Sequence, residues 1–402
     1  MAKPNTKSHQ EIGRELDLFS VHDVAPGAIF WHHKGYIIYK TLVDFLRKRL
    51  LSEGYKEINT PVMVKSDLFK KSGHWDFYHE HMFTLEVDGE SYSLKPMNCP
   101  EACLVYSTRL RSYQDLPLRL ADFGVLHRNE LSGVLGGAFR VRQFSIDDAH
   151  HFVRPDQIED EVHGLILLVV EFYKSLGFIP EFFLSTKPDK AMGDPKLWEE
   201  AEKDLNQALD NAKVKYGMKE KDGAFYGPKI DIHIKDSQDR DWQLATIQLD
   251  FQIPEKMQLE YIDKDGKAKR PVIVHRAILG SVERFIGILT EHYQGAFPIW
   301  LSPVQVVLLP IADRHTEHAK KIAEKLSEEG IRVEVDDRSE RLQAKIREAT
   351  LQKVPFLGII GDEELKNKDL SLSVRDRNGK DYGLLNLSQF KILVKEDIDK
   401  KV

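Results

Sequence analysis

The hydrophobic pattern of the chain changes near residue 304, and this change indicates two parts with different folds. From there onward, short apolar runs typical of buried strands alternate with helical stretches. The predicted strands are 304–311, 331–337 and 355–361, and the predicted helices are 314–330 and 339–353, with Ser339 as a candidate N-cap. Such alternation with short connections indicates βαβ crossovers and a mainly parallel sheet. We therefore predict a compact α/β domain over 303–402.

The first 300 residues have a different pattern, typical of an α+β body with longer strands that alternate more cleanly. Apolar side chains from Ile38 to Leu50 recur at helical spacing, which predicts an amphipathic helix. The following segment, 55–64, resembles a strand, and Pro61 within it indicates an edge or an interface. Residues 1–300 are therefore predicted to form one domain, joined to the α/β domain through the proline-containing segment 297–303.

Length and composition narrow the functional classes. The 402 residues suggest two or three domains, and 42% hydrophobic with 30% charged residues is typical of an ordinary globular protein. Two cysteines cannot form a disulfide scaffold, and no apolar run is long enough for a signal peptide or a membrane span, so we expect a cytoplasmic protein. The net charge of −6 argues mildly against nucleic acid, but residues 301–402 have equal numbers of acidic and basic side chains and leave room for a local basic face.

Residues 140–150 place unusual chemistry on one face of a predicted strand. Alternation puts six side chains on that face: Arg140, Arg142, Phe144, Ile146, Asp148 and His150. Upstream, Arg128 and Glu130 share a face, and a glycine-rich hairpin loop joins the two strands. Cations, an aromatic ring, a carboxylate and an imidazole suit an anionic ligand. Taken alone, the same pattern also fits a solvated hairpin with cross-strand ion pairs.

Two further segments are ambiguous by themselves. Residues 246–253 alternate strictly and predict a half-exposed strand with Gln248 on its polar face. Residues 275–292 predict an amphipathic helix, from whose apolar stripe Arg284 points away. A solvated arginine is the simpler interpretation from the helix alone.

A metal site is not evident from spacing. Cys99, His150 and His275 are separated by 51 and 125 residues, unlike the local spacing of a zinc finger. Cys103 lies one helical turn after Cys99, and two buried thiols explain that pair more simply than a metal. His151 is predicted to point to the opposite face of the strand from His150.

Taken together, these segments resemble class II aminoacyl-tRNA synthetases. The helix and strand ending at Pro61 resemble motif 1, FGVLHRNE and FRVRQF resemble motif 2, and HRAILGSVERF resembles motif 3. Segments typical of the threonyl members occur in order: SGHW (72–75), KPMNCP (95–100), DDAH (147–150), GAFYGPK (223–229), QLDF (248–251) and HRAILGSVERF (275–285). The resemblance implies an antiparallel sheet flanked by helices, followed by an α/β anticodon-binding domain.

The resemblance implies the residues of an ATP site. Arg128 is similar to the arginine that grips the α-phosphate, and Glu130 to the residue that reads the adenine amino group. Phe144 and Arg284 resemble the two sides of a sandwich around adenine, with Arg284 also near the γ-phosphate. Arg140 is a further phosphate candidate, and Mg²⁺ is expected with ATP.

The resemblance also implies a zinc ion held by Cys99, His150 and His275, which binds the amino group and hydroxyl of L-threonine. Asp148 is then similar to the residue that accepts the threonine hydroxyl proton. Other residues implied for the site are Tyr226, Lys229 and Gln248 in the amino-acid pocket and His74 in transfer to tRNA(Thr). The implied activity is that of a threonine–tRNA ligase.

The chain departs from the family pattern at three places. Ile146 stands where glutamine is common, and NCPEAC replaces the more frequent NCPGH. In the C-terminal domain, Glu364 and Arg375 match positions that read anticodon bases, but Ser339 stands where asparagine is familiar. A phosphate-binding face is predicted for five cations there: Lys353, Lys366, Lys368, Arg377 and Lys380.

The resemblance also implies an oligomeric state and a pattern of amino-acid selectivity. Motif 1 implies a homodimer. Because the chain begins near the catalytic core, we expect no editing domain in cis, and appreciable activation of serine, which lacks only one methyl group of threonine. A catalytically inactive paralogue that binds RNA is the rival hypothesis. The presence of Arg128, Arg284 and the three metal-ligand candidates favours the enzyme.

Overall fold

The computed structural model describes residues 6–367 and 369–401. The chain divides into two compact units. The smaller unit comprises the described parts of Met1–Ser20, Phe30–Leu42 and Leu289–Val402, and the larger unit comprises Val21–Ile29 and Val43–Ile288.

Helices are found throughout both units. They are α1 (His9–Glu15), α2 (His33–Ser52), α3 (Asp67–Ser72), α4 (His74–Tyr78), α5 (Cys99–Tyr106), α6 (Ile158–Ser175), α7 (Pro195–Asn211), α8 (Gln252–Lys256), α9 (Val282–His292), α10 (Thr316–Ser327), α11 (Leu342–Leu351), α12 (Asp362–Leu365) and α13 (Leu387–Lys400). None of the helices among the described residues is long and apolar enough to cross a membrane.

The strands lie between the first and the last of these helices. They are β1 (Phe19–Ser20), β2 (Phe30–Trp31), β3 (Lys56–Glu57), β4 (Met63–Lys65), β5 (Phe83–Val87), β6 (Glu90–Leu94), β7 (Arg111–Ser112), β8 (Leu118–Asp122), β9 (Val125–His127), β10 (Gln143–Val153), β11 (Glu181–Ser185), β12 (Tyr216–Lys219), β13 (Lys229–Lys235), β14 (Asp241–Asp250), β15 (Tyr261–Ile262), β16 (Ala268–Lys269), β17 (Val272–Ser281), β18 (Val306–Pro310), β19 (Val333–Val335), β20 (Phe356–Ile360), β21 (Ser371–Asp376) and β22 (Asp381–Asn386).

A nine-stranded sheet organises the larger unit. Its order is β12-β11-β13-β14-β17-β10-β8-β3, and β9 pairs with β10. Neighbours are antiparallel except for β11 with β12 and β3 with β8. Helix α6 covers one face of the sheet, where the hydroxyl of Tyr173 donates to the carbonyl of Ile278 at 2.6 Å. The predicted antiparallel sheet flanked by helices is therefore confirmed.

Two elements of this unit have different bounds from those predicted: strand β14 ends earlier, and helix α9 begins later. Strand β14 stops at Asp250, and Gln252 already belongs to α8, because the Asp250 carboxylate accepts from the backbone N–H groups of Gln252 and Ile253 and turns the chain into the helix. The predicted helix 275–292 is wrong in its first half, since Val272–Ser281 forms the central strand β17. Helix α9 begins only after Gly280, whose φ of +67° is readily adopted by glycine.

The helix predicted around Ile38–Leu50 is found, whereas the strand predicted after it differs in detail. The predicted amphipathic helix is confirmed as α2. The predicted strand over 55–64 is two short strands, β3 and β4, with Pro61 in the irregular segment between them. Proline has no N–H to donate to a ladder, which accounts for the break.

The smaller unit contains a five-stranded sheet in the order β19-β18-β20-β21-β22. Strand β18 is parallel to β19 and β20, as the predicted βαβ crossovers require, whereas β21 and β22 are antiparallel. Side chains of Val306, Leu308, Ile322, Phe356 and Phe390 lie in its core. The N-cap of α11 is Arg341, so the predicted N-cap at Ser339 is wrong.

Candidate active site

Two histidines meet at the centre of the nine-stranded sheet because two of its strands lie side by side. His150 on β10 is directly opposite His275 on β17, and Cys99 is the first residue of α5. One ligand atom from each of the three residues lies within 4.8 Å of the others, and all three side chains are buried. The sheet register thus brings together three residues that are far apart in the chain.

The hydrogen-bonding state of the three residues fits a metal ion. Neither ring nitrogen of His150 has a hydrogen-bond partner, although the side chain is 1% exposed. Nε2 of His275 lies 2.9 Å from Oδ2 of Asp250, which leaves Nδ1 as the ring atom for a metal. A buried imidazole without a partner is costly unless it binds something.

The electrostatics of the cluster agree with this interpretation. Burial lowers the pKa of His150 well below its ordinary value and keeps the ring neutral, the form that binds metals. Burial raises the pKa of the Cys99 thiol well above its ordinary value, so a thiolate there needs a cation beside it. Three protein ligands of this kind leave one coordination position open.

A row of polar side chains extends across the sheet from this cluster. In the ladder, His150 pairs with His275, His275 with Gln248, and Gln248 with Lys229. The hydroxyl of Tyr226 donates to Gln248 at 2.5 Å, and its ring centroid lies 5.4 Å from that of His275. The pocket residues expected from the sequence therefore lie along one line.

Asp148 lies on the same face of β10, two residues before His150. Nδ2 of Asn98 donates to its Oδ2 at 3.2 Å. Burial raises the pKa of Asp148 to about 6, although the charge of Arg276 and the hydrogen bond from Asn98 oppose the rise. A carboxyl group so placed suits hydrogen bonding to a polar ligand at the cluster.

His74, expected in transfer chemistry, lies beside the cluster. Its Nε2 is 3.3 Å from Sγ of Cys99, and its Nδ1 is 2.9 Å from the hydroxyl of Ser72. Burial lowers the pKa of His74 to about 4, so the ring is neutral near neutral pH. Cys103, by contrast, packs among apolar side chains such as Phe152, which confirms it as a core thiol.

A cavity of about 190 Å³ opens next to the polar row. Its lining includes the residues expected to bind ATP and the residue that departs from the family pattern: Arg128, Glu130, Arg140, Phe144, Ile146 and Arg284. Burial lowers the pKa of the Arg284 guanidinium, and the charges of Arg140 and Arg128 lower it further. A cavity with three such cations suits a polyanion.

Contacts within the cavity show how its residues are held. The guanidinium of Arg128 lies 5.1 Å from the ring centroid of Phe144, and Nη2 of Arg140 lies 2.8 Å from Oε2 of Glu130. Nε of Arg284 donates to the carbonyl of Phe139 at 2.8 Å. Arg140 and Glu130, given separate roles in the sequence analysis, are therefore partners of one another here.

Ile146 is half-buried and packs with an apolar group that includes Phe144 and Leu126. It lines the cavity, so the departure from glutamine places an apolar side chain on the ligand-facing side.

Several residues that support the site were missed by the sequence analysis. Asp250 holds His275, Asn98 holds Asp148, and the buried Asp231 holds Lys229, whose Nζ lies 2.8 Å from its Oδ2. Asp147 accepts from the backbone of β17 at Ile278 and thus links the two central strands. All four lie within or next to quoted motifs, so a carboxylate or amide beside a site residue was the available signal.

The anticodon candidates lie in the smaller unit and already have partners. Glu364 is buried and accepts from the backbone N–H of Gly361 at 2.7 Å and from the hydroxyl of Ser373 at 2.5 Å. Arg375 is half-exposed, with its Nη2 3.1 Å from Oδ2 of Asp381. Ser339 is exposed, and the predicted phosphate contact Lys368 lies outside the described residues.

The chain is similar to known proteins over most of its length. Residues 83–293 match the class II tRNA synthetase core domain of the G, H, P, S and T enzymes, and residues 305–397 match an anticodon-binding domain. The chain is 53% identical to a threonine–tRNA ligase of Caldanaerobacter subterraneus and 50% identical to that of Carboxydothermus hydrogenoformans, over 97% and 96% of its length. It spans 60% of the length of each of these relatives.

Solved structures agree with the sequence relatives. A crystal structure described as the RNA binding domain of threonyl-tRNA synthetase from Cryptosporidium parvum superimposes with a TM-score of 0.94 at 41% identity, covering 97% of this chain and 98% of that one. A putative threonyl-tRNA synthetase from Aeropyrum pernix gives a TM-score of 0.84 at 28% identity, covering 98% and 97%. The family expected from the motifs is confirmed, and the chain belongs to the threonyl-tRNA synthetases, within the class II aminoacyl-tRNA synthetases.

Proposed function

We propose that this chain is a threonine–tRNA ligase. In this function, threonine and ATP form threonyl-adenylate with release of diphosphate, and the threonyl group then passes to the 3′ end of tRNA(Thr) with release of AMP. The observation that carries the proposal is the buried Cys99–His150–His275 cluster, in which neither ring nitrogen of His150 makes a hydrogen bond. The polar row and the cationic cavity beside it supply places for an amino acid and a nucleotide.

Cys99, His150 and His275 are the proposed zinc ligands, with one zinc ion per chain. When bound there, zinc supplies an open coordination position that takes the amino group and the hydroxyl of threonine. Asp148 accepts the hydroxyl hydrogen bond, and Tyr226, Lys229 and Gln248 line the amino-acid pocket along the row. Valine has the shape of threonine without the hydroxyl, and a polar site of this kind rejects it by ~10⁴-fold or more.

The cavity around Arg284 is the proposed ATP site, with Mg²⁺ bound to the phosphates. Arg128 holds the α-phosphate, Arg140 supplies a further cation, and Phe144 and Arg284 enclose the adenine ring. Glu130 accepts from the adenine amino group. Because carboxylate attack on the α-phosphorus crowds negative charge, fixed guanidinium groups stabilise the transition state more than water does.

His74 is the proposed transfer residue. Its ring is neutral and hydrogen-bonded to Ser72, so one nitrogen is oriented by that contact and the other faces the cluster. A neutral imidazole at this place can accept a proton as the terminal ribose hydroxyl of tRNA attacks the adenylate carbonyl.

The smaller unit is proposed to read the anticodon through Glu364 and Arg375, with residues 1–300 and 303–402 as the catalytic and anticodon-binding domains. Arg375 must exchange its Asp381 partner for a base, which is feasible because the pair is half-exposed. Resemblance to motif 1 supports a homodimer, and the two free, buried cysteines fit a reducing cytoplasm.

The test is amino-acid-dependent ATP–diphosphate exchange on the purified chain, followed by metal analysis. We expect exchange with threonine, weaker exchange with serine, and none above background with valine. One zinc ion per chain is expected, and removal of zinc with a chelator should abolish exchange. Exchange that depends on proline or histidine instead, or a metal-free chain that binds RNA without exchange, would overturn the proposal.

A further inference from the structure

The hairpin that joins β13 to β14 has a highly organised tip. The carboxylate of Asp236 is fully buried and accepts from the backbone N–H groups of Gln238 and Arg240 at 2.8 and 3.1 Å. The same carboxylate accepts from Nε of Arg240 at 2.6 Å and from Nε1 of Trp242 at 2.9 Å. One side chain thus closes the turn and fixes two others.

Arg240 is held against aromatic rings by this contact. Its guanidinium carbon lies 5.2 Å from the ring centroid of Trp242 and 5.7 Å from that of Phe139, and the two rings lie 4.7 Å apart. These distances are those of cation–π contacts. Phe139 belongs to the loop between β9 and β10, so the hairpin tip holds a residue from a different part of the chain.

Phe139 is connected directly to the nucleotide cavity. Its carbonyl accepts from Nε of Arg284 at 2.8 Å, and Phe139 itself lines the cavity. The ring also lies against Gly287 of α9, where a Cβ atom would approach Cε1 of Phe139 to 3.0 Å. Phe139 therefore lies between the hairpin tip and the helix that carries Arg284.

We propose that Arg240, fixed by Asp236, is a positioning residue for ATP binding. Arg240 and Trp242 clamp the ring of Phe139, the clamped ring fixes the Phe139 carbonyl, and this carbonyl orients the Arg284 guanidinium toward the phosphates and adenine. Loss of the clamp lets Phe139 and Arg284 adopt other conformations, so ATP binds less often in the productive arrangement. The inference rests on the proposed role of Arg284 in ATP binding.

The proposal predicts a selective effect on the nucleotide. In Arg240→Met, which keeps much of the side-chain volume without the guanidinium, KM for ATP should rise about 10-fold, because coupling through packed side chains is of this order. KM for threonine should stay within about 2-fold, since the proposed threonine pocket lies along the polar row from His150 to Lys229, which includes neither Arg240 nor Phe139. Arg240→Lys keeps a cation above the rings and should recover part of the affinity.

Matched variants separate positioning from loss of stability. Arg270→Met removes an exposed arginine of the larger unit and should leave both KM values unchanged. Phe139→Leu, which removes the ring and keeps the carbonyl, should raise KM for ATP as Arg240→Met does, and the double variant should be no worse than either single one. If Arg240→Met fails to fold, Phe139→Leu and Asp236→Asn make the same test.

The affinity of the chain for ATP, measured directly by calorimetry, provides a second readout. Absence of threonine-dependent exchange in the unsubstituted chain would refute the proposed function. Exchange in that chain together with an unchanged KM and affinity for ATP in folded Arg240→Met and Phe139→Leu would refute the positioning role alone. An equal rise in KM for threonine would also refute it, since general loosening of the site would explain that result.

Discussion

Adjacent histidines on β10 show how the two faces of one strand serve different purposes. His150 and His151 are each 1% exposed, and burial lowers the pKa of both. On one face, His150 lies beside Cys99 and His275 with neither ring nitrogen hydrogen-bonded. On the other face, Nδ1 of His151 lies 2.9 Å from Oε2 of Glu161.

The face that carries His151 is stabilised by its own ion cluster. Glu161 also lies beside the guanidinium of Arg119, with Oε2 accepting from Nε at 2.8 Å. Burial alone would raise the pKa of Glu161, but the hydrogen bonds from Arg119 and His151 outweigh it and keep the pKa at about 2. Burial alone therefore does not separate His150, the proposed metal ligand, from His151, whereas the hydrogen bond at Nδ1 of His151 does.

The largest expected difference between the faces is seen on removal of each imidazole. His150→Ala should lose the metal and reduce kcat/KM for threonine on the order of 10³-fold, because the polar groups of threonine then have no partner at the cluster. His151→Gln should keep the metal and stay within about 3-fold of the unsubstituted activity. The contact of His151 with Glu161 lies on the opposite face of β10 from the cluster, so its loss should affect stability rather than chemistry. Metal analysis and exchange kinetics measure both. Equal losses in the two variants would show that the faces do not differ as argued.

Arg128 and Arg119 extend the comparison of the two faces to the binding of ATP. Arg128 lines the cavity, whereas Arg119 pairs with Glu161. Arg128→Ala should reduce kcat/KM for ATP by about 10²–10³-fold, since a fixed cation beside a reacting phosphate stabilises charge that develops in the transition state. Arg119→Ala is the matched control, because Arg119 pairs with Glu161 on the opposite face. We expect a lower unfolding temperature for Arg119→Ala with little change in KM for ATP. An ATP defect in both variants would contradict this division.

A smaller effect is expected from removal of the carboxylate that contacts His275, one of the proposed metal ligands. Asp250→Asn should weaken metal binding by about 10- to 100-fold, because the carboxylate that orients His275 through Nε2 is lost while the three ligands remain. Competition with a chelator measures this affinity without reference to activity. Asp231→Asn, which affects Lys229 in the row, should leave metal affinity unchanged, and a loss there would argue against a specific role for Asp250.

The smallest effect is a pH dependence of stability. Burial lowers the pKa of His151 from 6.5 to about 4, so the unfolded chain takes up a proton between these values while the folded chain does not. The free energy of unfolding therefore falls as the pH falls from 6.5 to 4, by about 3 kcal/mol at most from this residue. His151→Gln should show a shallower fall over the same range in denaturant unfolding. Parallel curves for the two proteins would refute the assignment.

Much of this site could be anticipated from the sequence, mainly through family motifs. The motifs predicted the family and named the cluster residues, and alternation on β10 placed Asp148 and His150 on one face and His151 on the other. Alternation is a local property that follows from the pleat of a strand, so it needs no knowledge of the fold.

Other predictions failed where local patterns are ambiguous. The apolar residues of 275–281 fit a helix stripe as well as a buried strand, and periodicity cannot separate the two. This segment forms part of strand β17 because strands β10 and β14, which lie on either side of β17, satisfy its backbone hydrogen bonds. Residues 251–253 similarly continue the alternation of β14, but the capping carboxylate of Asp250 ends the strand.

Motifs and strand alternation were enough to indicate the family, the chemical groups available and the strand faces that these groups share. The folded structure was needed to show that His150 lies opposite His275, that Asp250 contacts Nε2 of His275, and that Arg240 lies against the ring of Phe139. These contacts join residues distant in the chain, and they depend on strand register and side-chain packing. Local propensity carries no information about either, because register is set by the pairing of whole strands within the sheet.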